Sequence, residues 1–289
     1  METSIHVWTR RTVLGTCTVA LLAGCAAPEY EGAPRKETLH VLTKRMDLLT
    51  INTGQPRKIR QSVAVTGLAP GDTLVGIDYR VARGVLYAVS LKGGVYTLDA
   101  TSGVLKAVSS KPLDRPLEGT AFGVDFNPVA DRIRVVSHTG FNIRLHPDTG
   151  ALAATDPALA YAPGDAQAAF KPELVAAAYT YNKKDDKLTT NYAIDRRAGH
   201  LVTQGSVEGA KPVVSPNTGQ LRTVGPLGLG PLTNASFDIA DVTGAAFAAI
   251  NTAAQAATRL YLINLATGKA ELLGIVGTGD PVIGMAVEP

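Results

Sequence analysis

The chain has 289 residues, 45% of them hydrophobic and 18% charged, with a net charge of +3. That balance excludes a disordered chain, and the charge is too small for a nucleic-acid surface. Its length suits one large all-β domain or two smaller ones, each able to bury a sizeable core.

The first predicted element is an export leader over residues 1–24. Arg10 and Arg11 form a basic start, and residues 13–23 (VLGTCTVALLA) are apolar but too short to span a bilayer. Leu22-Ala23-Gly24-Cys25 follows and resembles the lipobox of bacterial lipoproteins. The resemblance implies cleavage before Cys25 and acylation of its thiol. Two or three acyl chains anchor a protein firmly, since each buried CH₂ contributes roughly 0.8 kcal/mol. Such a protein sits at the cell envelope. Ala26, where an aspartate implies inner-membrane retention, implies the periplasmic side of the outer membrane in an organism that has one. Residues 9–14 (TRRTVL) also resemble a twin-arginine export signal, although two arginines equally serve an ordinary leader.

Removing the leader takes Arg10, Arg11 and Glu2, so the net charge falls from +3 to +2. Cys17 leaves with it and Cys25 is lipidated, so the mature domain has no disulfide and no thiolate for catalysis or metal binding. Residues 25–37 carry two prolines and no periodicity, and read as a lipid-anchored flexible tether. Residues 38–289 read as one domain.

That domain is repetitive. Five short runs share a small–apolar–small core: residues 75–79 (VGIDY), 122–126 (FGVDF), 175–179 (VAAAY), 235–239 (ASFDI) and 283–287 (IGMAV). They recur 47 to 60 residues apart, near the length of a propeller blade. The clearest unit is 121–150, where three alternating strands are separated by turns at Asn127-Pro128, His138-Thr139-Gly140 and Pro147-Asp148-Thr149-Gly150. The first four runs are each followed by about three further strands. The fifth has only Glu288 and Pro289 after it, while residues 38–65 hold later strands without a first one. Joining the two ends predicts an all-β, five-bladed β-propeller, closed by N- and C-terminal strands in one blade. Closure leaves no open edge between first and last blades. A six-bladed count is the alternative, because residues 207–231 are long and hard to assign, and a pair of β-sandwiches is the third.

Residues 123–150 (GVDFNPVADRIRVVSHTGFNIRLHPDTG) resemble the bacterial family catalogued as domain of unknown function 4394. Residues 175–180, 192–195, 221–227, 237–239 and 260–268 extend the resemblance over about 39–287. It implies export and all-β architecture, and supplies no catalytic residue.

Aligning the five runs puts Asp78, Asp125, Ala178, Asp238 and Ala286 at one level of the innermost strands. Three carboxylates lining a channel suit Ca²⁺ or another hard divalent cation, with Asn127 as a helper. The competing expectation is that each aspartate accepts hydrogen bonds from the turn that follows it. Packed carboxylates raise one another's pKa, so a partner is needed either way. Arg80, Arg132, Arg134 and Arg144 are available, although the last three fit a solvated or salt-bridged strand face. The histidines show no metal-binding spacing, and His138 and His146 lie in or near turns. No Gly-x-Ser-x-Gly elbow or phosphate loop is present. The resulting reading is a monomeric, lipid-anchored module at the envelope that binds or scaffolds an unidentified protein or small molecule. A metal-dependent hydrolase, lactonase-like and using the aspartate cluster, is the alternative.

Overall fold

The computed structural model describes residues 1–3 and 32–289. Most of the leader, and Cys25 with its expected lipid, lie outside the described residues. Among the described residues no helix is long and apolar enough to cross a membrane.

The domain is built almost entirely of strands. They are β1 (Thr38–Thr43), β2 (Asp47–Asn52), β3 (Gln55–Ala64), β4 (Leu74–Arg80), β5 (Val85–Ser90), β6 (Val95–Leu98), β7 (Leu105–Ala107), β8 (Phe122–Asn127), β9 (Arg132–Ser137), β10 (Asn142–Leu145), β11 (Leu152–Thr155), β12 (Ala160–Tyr161), β13 (Leu174–Tyr179), β14 (Asn191–Asp195), β15 (His200–Gln204), β16 (Gln220–Pro226), β17 (Leu232–Ile239), β18 (Ala246–Thr252), β19 (Gln255–Ile263), β20 (Ala270–Ile275) and β21 (Val282–Val287). They form five sheets, ordered from the inside out as β21-β1-β2-β3, β4-β5-β6-β7, β8-β9-β10-β11, β13-β14-β15-β16-β12 and β17-β18-β19-β20. Their inner strands β4, β8, β13, β17 and β21 touch in that order, and β21 returns to β4. The fold is a five-bladed β-propeller.

Closure is made as the repeat pattern predicts. The C-terminal β21 pairs antiparallel with β1, with Leu39 opposite Val287 and His40 opposite Ala286. The 207–231 stretch supplies no sixth blade. It contains β16, the fourth strand of its blade, and β12 joins β16 in parallel as a short fifth strand. The last residues of the segment read as a tether reach the propeller: Arg35 N–H donates to Asn52 Oδ1 at 2.8 Å, and Thr243 Oγ1 donates to Glu37 Oε1 at 2.8 Å.

The core is five wedges, one between each pair of neighbouring blades. Both faces of every blade are therefore covered, and strand alternation means something different here from alternation in a half-solvated sheet. In β9, Ile133 and Val135 face the wedge shared with β4–β7, while Val136 faces the wedge shared with β13–β16. Arg134, on the second face, is wholly buried instead of solvated. It donates to Tyr179 Oη at 2.6 Å, to Asn142 Oδ1 at 2.6 Å and to Asp156 Oδ2 at 3.0 Å. Arg144 grips the same Asp156 with two bonds of 2.8 and 2.9 Å. Of the two expectations for this face, solvated or salt-bridged, Arg134 and Arg144 take the salt-bridged one, two cations on one nearly buried carboxylate; removing one partner of such a group is strongly destabilising.

The small second residue of each run has a packing cause. A Cβ on Gly123 would lie 2.5 Å from the Ala177 nitrogen, and one on Gly284 would lie 2.8 Å from the Ile77 nitrogen. Five strands converging on one axis leave room there only for glycine or a small side chain. Gly76, Gly123, Ala176, Ser236 and Gly284 line this waist, where only about 10 Å³ of space is left. The channel is thereby divided into two separate mouths.

Candidate metal centre

Two residues beyond the waist, the strands carry the predicted ring position. Asp78, Asp125 and Asp238 converge there, each offering an oxygen within 4.8 Å of the others. All three are buried, at 6%, 3% and 6% exposure. Each aspartate accepts a backbone N–H from the inner strand of the next blade. Asp78 Oδ2 takes Phe126 N–H at 2.7 Å, Asp125 Oδ1 takes Tyr179 N–H at 3.1 Å, and Asp238 Oδ2 takes Val287 N–H at 2.6 Å. The receiving residue always follows the equivalent ring position of its own blade: Phe126 after Asp125, Tyr179 after Ala178, Val287 after Ala286. The acceptors thus stitch neighbouring blades together, where the expectation was a cap on each aspartate's own turn. Asp238 also binds its next residue, through Ile239 N–H at 2.6 Å, and the Tyr79 amide likewise favours the Asp78 carboxylate.

These bonds do not neutralise the cluster. Burial first, and then the Asp238 charge, hold the Asp78 carboxyl well above the usual carboxylate range. Burial, then the charges of Asp78 and Asp238, do the same for Asp125. Burial pushes Asp238 up to about 6, against the pull of the Val287 and Ile239 amides. Asp125 Oδ2 has no hydrogen-bond donor among the described residues.

None of the four arginines considered as counter-charges is hydrogen-bonded or ion-paired to the cluster. Arg80 leaves the end of β4 and pairs with Asp131 and Asp148, two carboxylates on loops of the next blade, and with Tyr87 Oη. Arg134 and Arg144 pair with Asp156. Arg132 donates to its neighbours' carbonyl oxygens. Asn127 lines the space above the cluster, but its Oδ1 caps a turn by accepting Val129 N–H at 2.9 Å and Ala130 N–H at 3.0 Å, and so does not serve as the helper ligand. His138 contacts the Ala121 carbonyl oxygen and His146 accepts Asp148 N–H, so the two histidines serve separate loops.

Above the cluster a cavity of about 420 Å³ opens at the mouth formed by the C-terminal ends of the inner strands. Its wall includes Tyr179, Tyr181, Arg83, Asp186 and Asp241. Periodicity does not reveal Tyr181, Asp186 or Asp241, because they sit on loops outside the repeating strands. Only Asp241, three residues after Asp238, carried a local hint.

Fold and ring together define the class: a five-bladed propeller with a carboxylate-lined mouth. The chain belongs to the family described as Domain of unknown function (DUF4394), whose model matches residues 47–286. No curated protein matches the chain. A solved structure of PorZ, a bacterial surface component of the type-IX secretion system of Porphyromonas gingivalis, is similar over 83% of this chain with 13% identity and a TM-score of 0.38. This chain covers 28% of that one.

Proposed function

We propose that the protein is an exported, lipid-anchored binding module whose upper mouth holds a hard divalent cation, such as Ca²⁺, on Asp78, Asp125 and Asp238. The observation that carries this reading is the set of three buried carboxylates with ligand oxygens within 4.8 Å and, among the described residues, no basic side chain paired to them. The spacing fits. Oxygens about 2.3–2.6 Å from a calcium ion are at most roughly 5 Å apart. Three protein ligands leave positions of the six to eight open to water or to a ligand in the cavity. A cation would also offset the cost of ionising buried carboxylates, which is the first cause of the three raised pKa values.

The cavity gives a small molecule direct access to such an ion, which is what keeps metal-dependent hydrolysis as the second reading. The described wall has no histidine, serine, threonine, cysteine or lysine. Any general base on it would be a carboxylate such as Asp186 or Asp241. Residues 13–25 support the anchor, with Cys25 as the attachment point, a membrane as the first partner and the cell envelope as the location.

Metal analysis and calcium titration calorimetry of the full chain, stripped with chelator, test the site. One calcium per chain, lost in Asp125→Asn, is expected; no binding at millimolar calcium would overturn it. For the anchor, Cys25→Ala should move the protein from the membrane fraction to the soluble one.

A further inference from the structure

The waist leaves a second cavity at the opposite end of the channel, and nothing in the proposed cation site uses it. It has about 400 Å³ and opens among the loops that precede the inner strands. We infer that this lower cavity is a binding site for a small amphipathic anion, a single alkyl chain ending in a carboxylate.

The lining gives the apolar half of the ligand. Val75, Phe122, Ala235 and Ile283 come from four inner strands, and Leu68 and Met46 from the adjoining loops. A concave, preformed and mostly apolar space of this size is the usual form of a small-molecule site. Apolar atoms entering it leave water with a gain proportional to the area they bury.

Met46 is the second observation. It occupies the turn between β1 and β2 with φ of +67°, the left-handed region that favours glycine or asparagine. The turn is pinned there by Met46 N–H on the Thr43 oxygen at 3.0 Å and Val65 N–H on the Met46 oxygen at 2.7 Å. A long apolar side chain is thus held where the backbone prefers none. Strain of this kind marks positions that serve a site. The side chain is a flexible thioether, suited to closing around apolar ligands of varied shape, and it lines the cavity.

Lys44 gives the polar half. It is exposed on the rim, two residues from Met46, and its ammonium has no partner among the described residues. The one carboxylate lining the same cavity, Asp72, has its Oδ1 held by Thr73 N–H at 2.8 Å and Lys92 N–H at 3.1 Å. Lys44 is the cation lining the cavity, and with Asp72 tied to backbone amides it favours an anionic headgroup at this rim.

Decanoate, with decanol as the neutral control, tests this by calorimetry on the full chain carrying Cys25→Ala, which keeps acyl chains out of the sample. Decanoate should bind at one site per chain, about fourfold tighter for each methylene added from octanoate upward. Lys44→Ala should weaken decanoate at least tenfold and leave decanol unchanged. Met46→Gly should weaken both several-fold without lowering the melting temperature by more than a few degrees, because it relaxes the turn. Calcium binding should be unaffected by either change, so failure here and failure of the cation site are separable. No decanoate binding at millimolar concentration would overturn the inference. So would decanol binding as tightly as decanoate, or decanoate affinity unchanged in both variants.

Discussion

The same five strands make two unlike ends. Towards the C-terminal end, three of five carry a buried aspartate, and the mouth above them is lined by carboxylates and tyrosines. Towards the N-terminal end, Val75, Phe122, Ala235 and Ile283, one residue before the waist, line a mouth that is mostly apolar. Between them lies the glycine-rich waist. Period-two geometry explains how neighbouring residues of one strand serve such different ends: each position in the repeat has its own level along the axis, and only the small one at the waist is dictated by packing. The other levels are free to specialise. The repeat therefore specifies the propeller, while departures from the repeat specify the sites.

The largest effect should come from removing the element both ends share. Deleting residues 282–289 takes away β21, the inner strand of the closing blade, with its ladder to β1 and its bond to Asp238. The truncated chain should show no cooperative thermal transition; a transition like that of the intact chain would mean the blade does not need its C-terminal strand. Next is the waist. Gly123→Ala places a methyl group 2.5 Å from the Ala177 nitrogen and 2.6 Å from the Ala176 carbonyl carbon. Overpacking against main chain should destabilise by about 3 kcal/mol. That is a drop of roughly 6–12 °C in melting temperature for a domain of this size. Both mouths should then weaken together, in calcium and in decanoate binding.

A smaller change separates the two ends. Asp125→Asn keeps an acceptor for the Tyr179 amide but removes one charge from the cluster. In chelator at pH 7.5 the variant should be more stable than the parent, since burial raises the Asp125 pKa and such a shift costs stability above the unfolded value. Decanoate binding at the far end should not change. A destabilised variant would mean that the Asp125 charge is already compensated in the folded chain without a cation.

Much of this architecture was legible in the sequence. The five runs, their spacing and the strandless tail after Val287 were enough for blade number and closure, because each blade repeats one periodic unit. The ring of Asp78, Asp125 and Asp238 followed from aligning those runs. Their hydrogen-bond partners did not, since the amides of Phe126, Tyr179 and Val287 belong to neighbouring blades some fifty residues away. The ion pair of Arg134 was among the expectations but its burial was not, for a related reason: alternation with Ile133 and Val135 shows two faces of a strand, but not that a second blade covers the polar one. The lower cavity left no periodic trace at all. It is assembled from loop residues such as Met46 and Leu68 together with single residues of four strands.

The central claim, a cation held by the aspartate ring, has a pH signature. In the metal-free protein the raised pKa values let the folded state keep its protons to higher pH than the unfolded chain, where the ordinary value is 3.8. The three groups thus favour folding most below pH 4. That contribution is lost as pH rises through the folded values, about 6 for Asp238 and well above the ordinary value at Asp78 and Asp125, through burial first and then neighbouring carboxylates. A cation competes with those protons, so its stabilisation should grow over the same range. Calcium at a hundred times its dissociation constant adds about 2.7 kcal/mol, or roughly 5–10 °C here. The direct measurement is the difference in melting temperature between calcium and chelator at pH 5 and pH 7.5, for the parent chain and for Asp125→Asn. The account predicts a shift of several degrees at pH 7.5, little at pH 5, and none in the variant. No shift at pH 7.5, or an equal shift in Asp125→Asn, would contradict it.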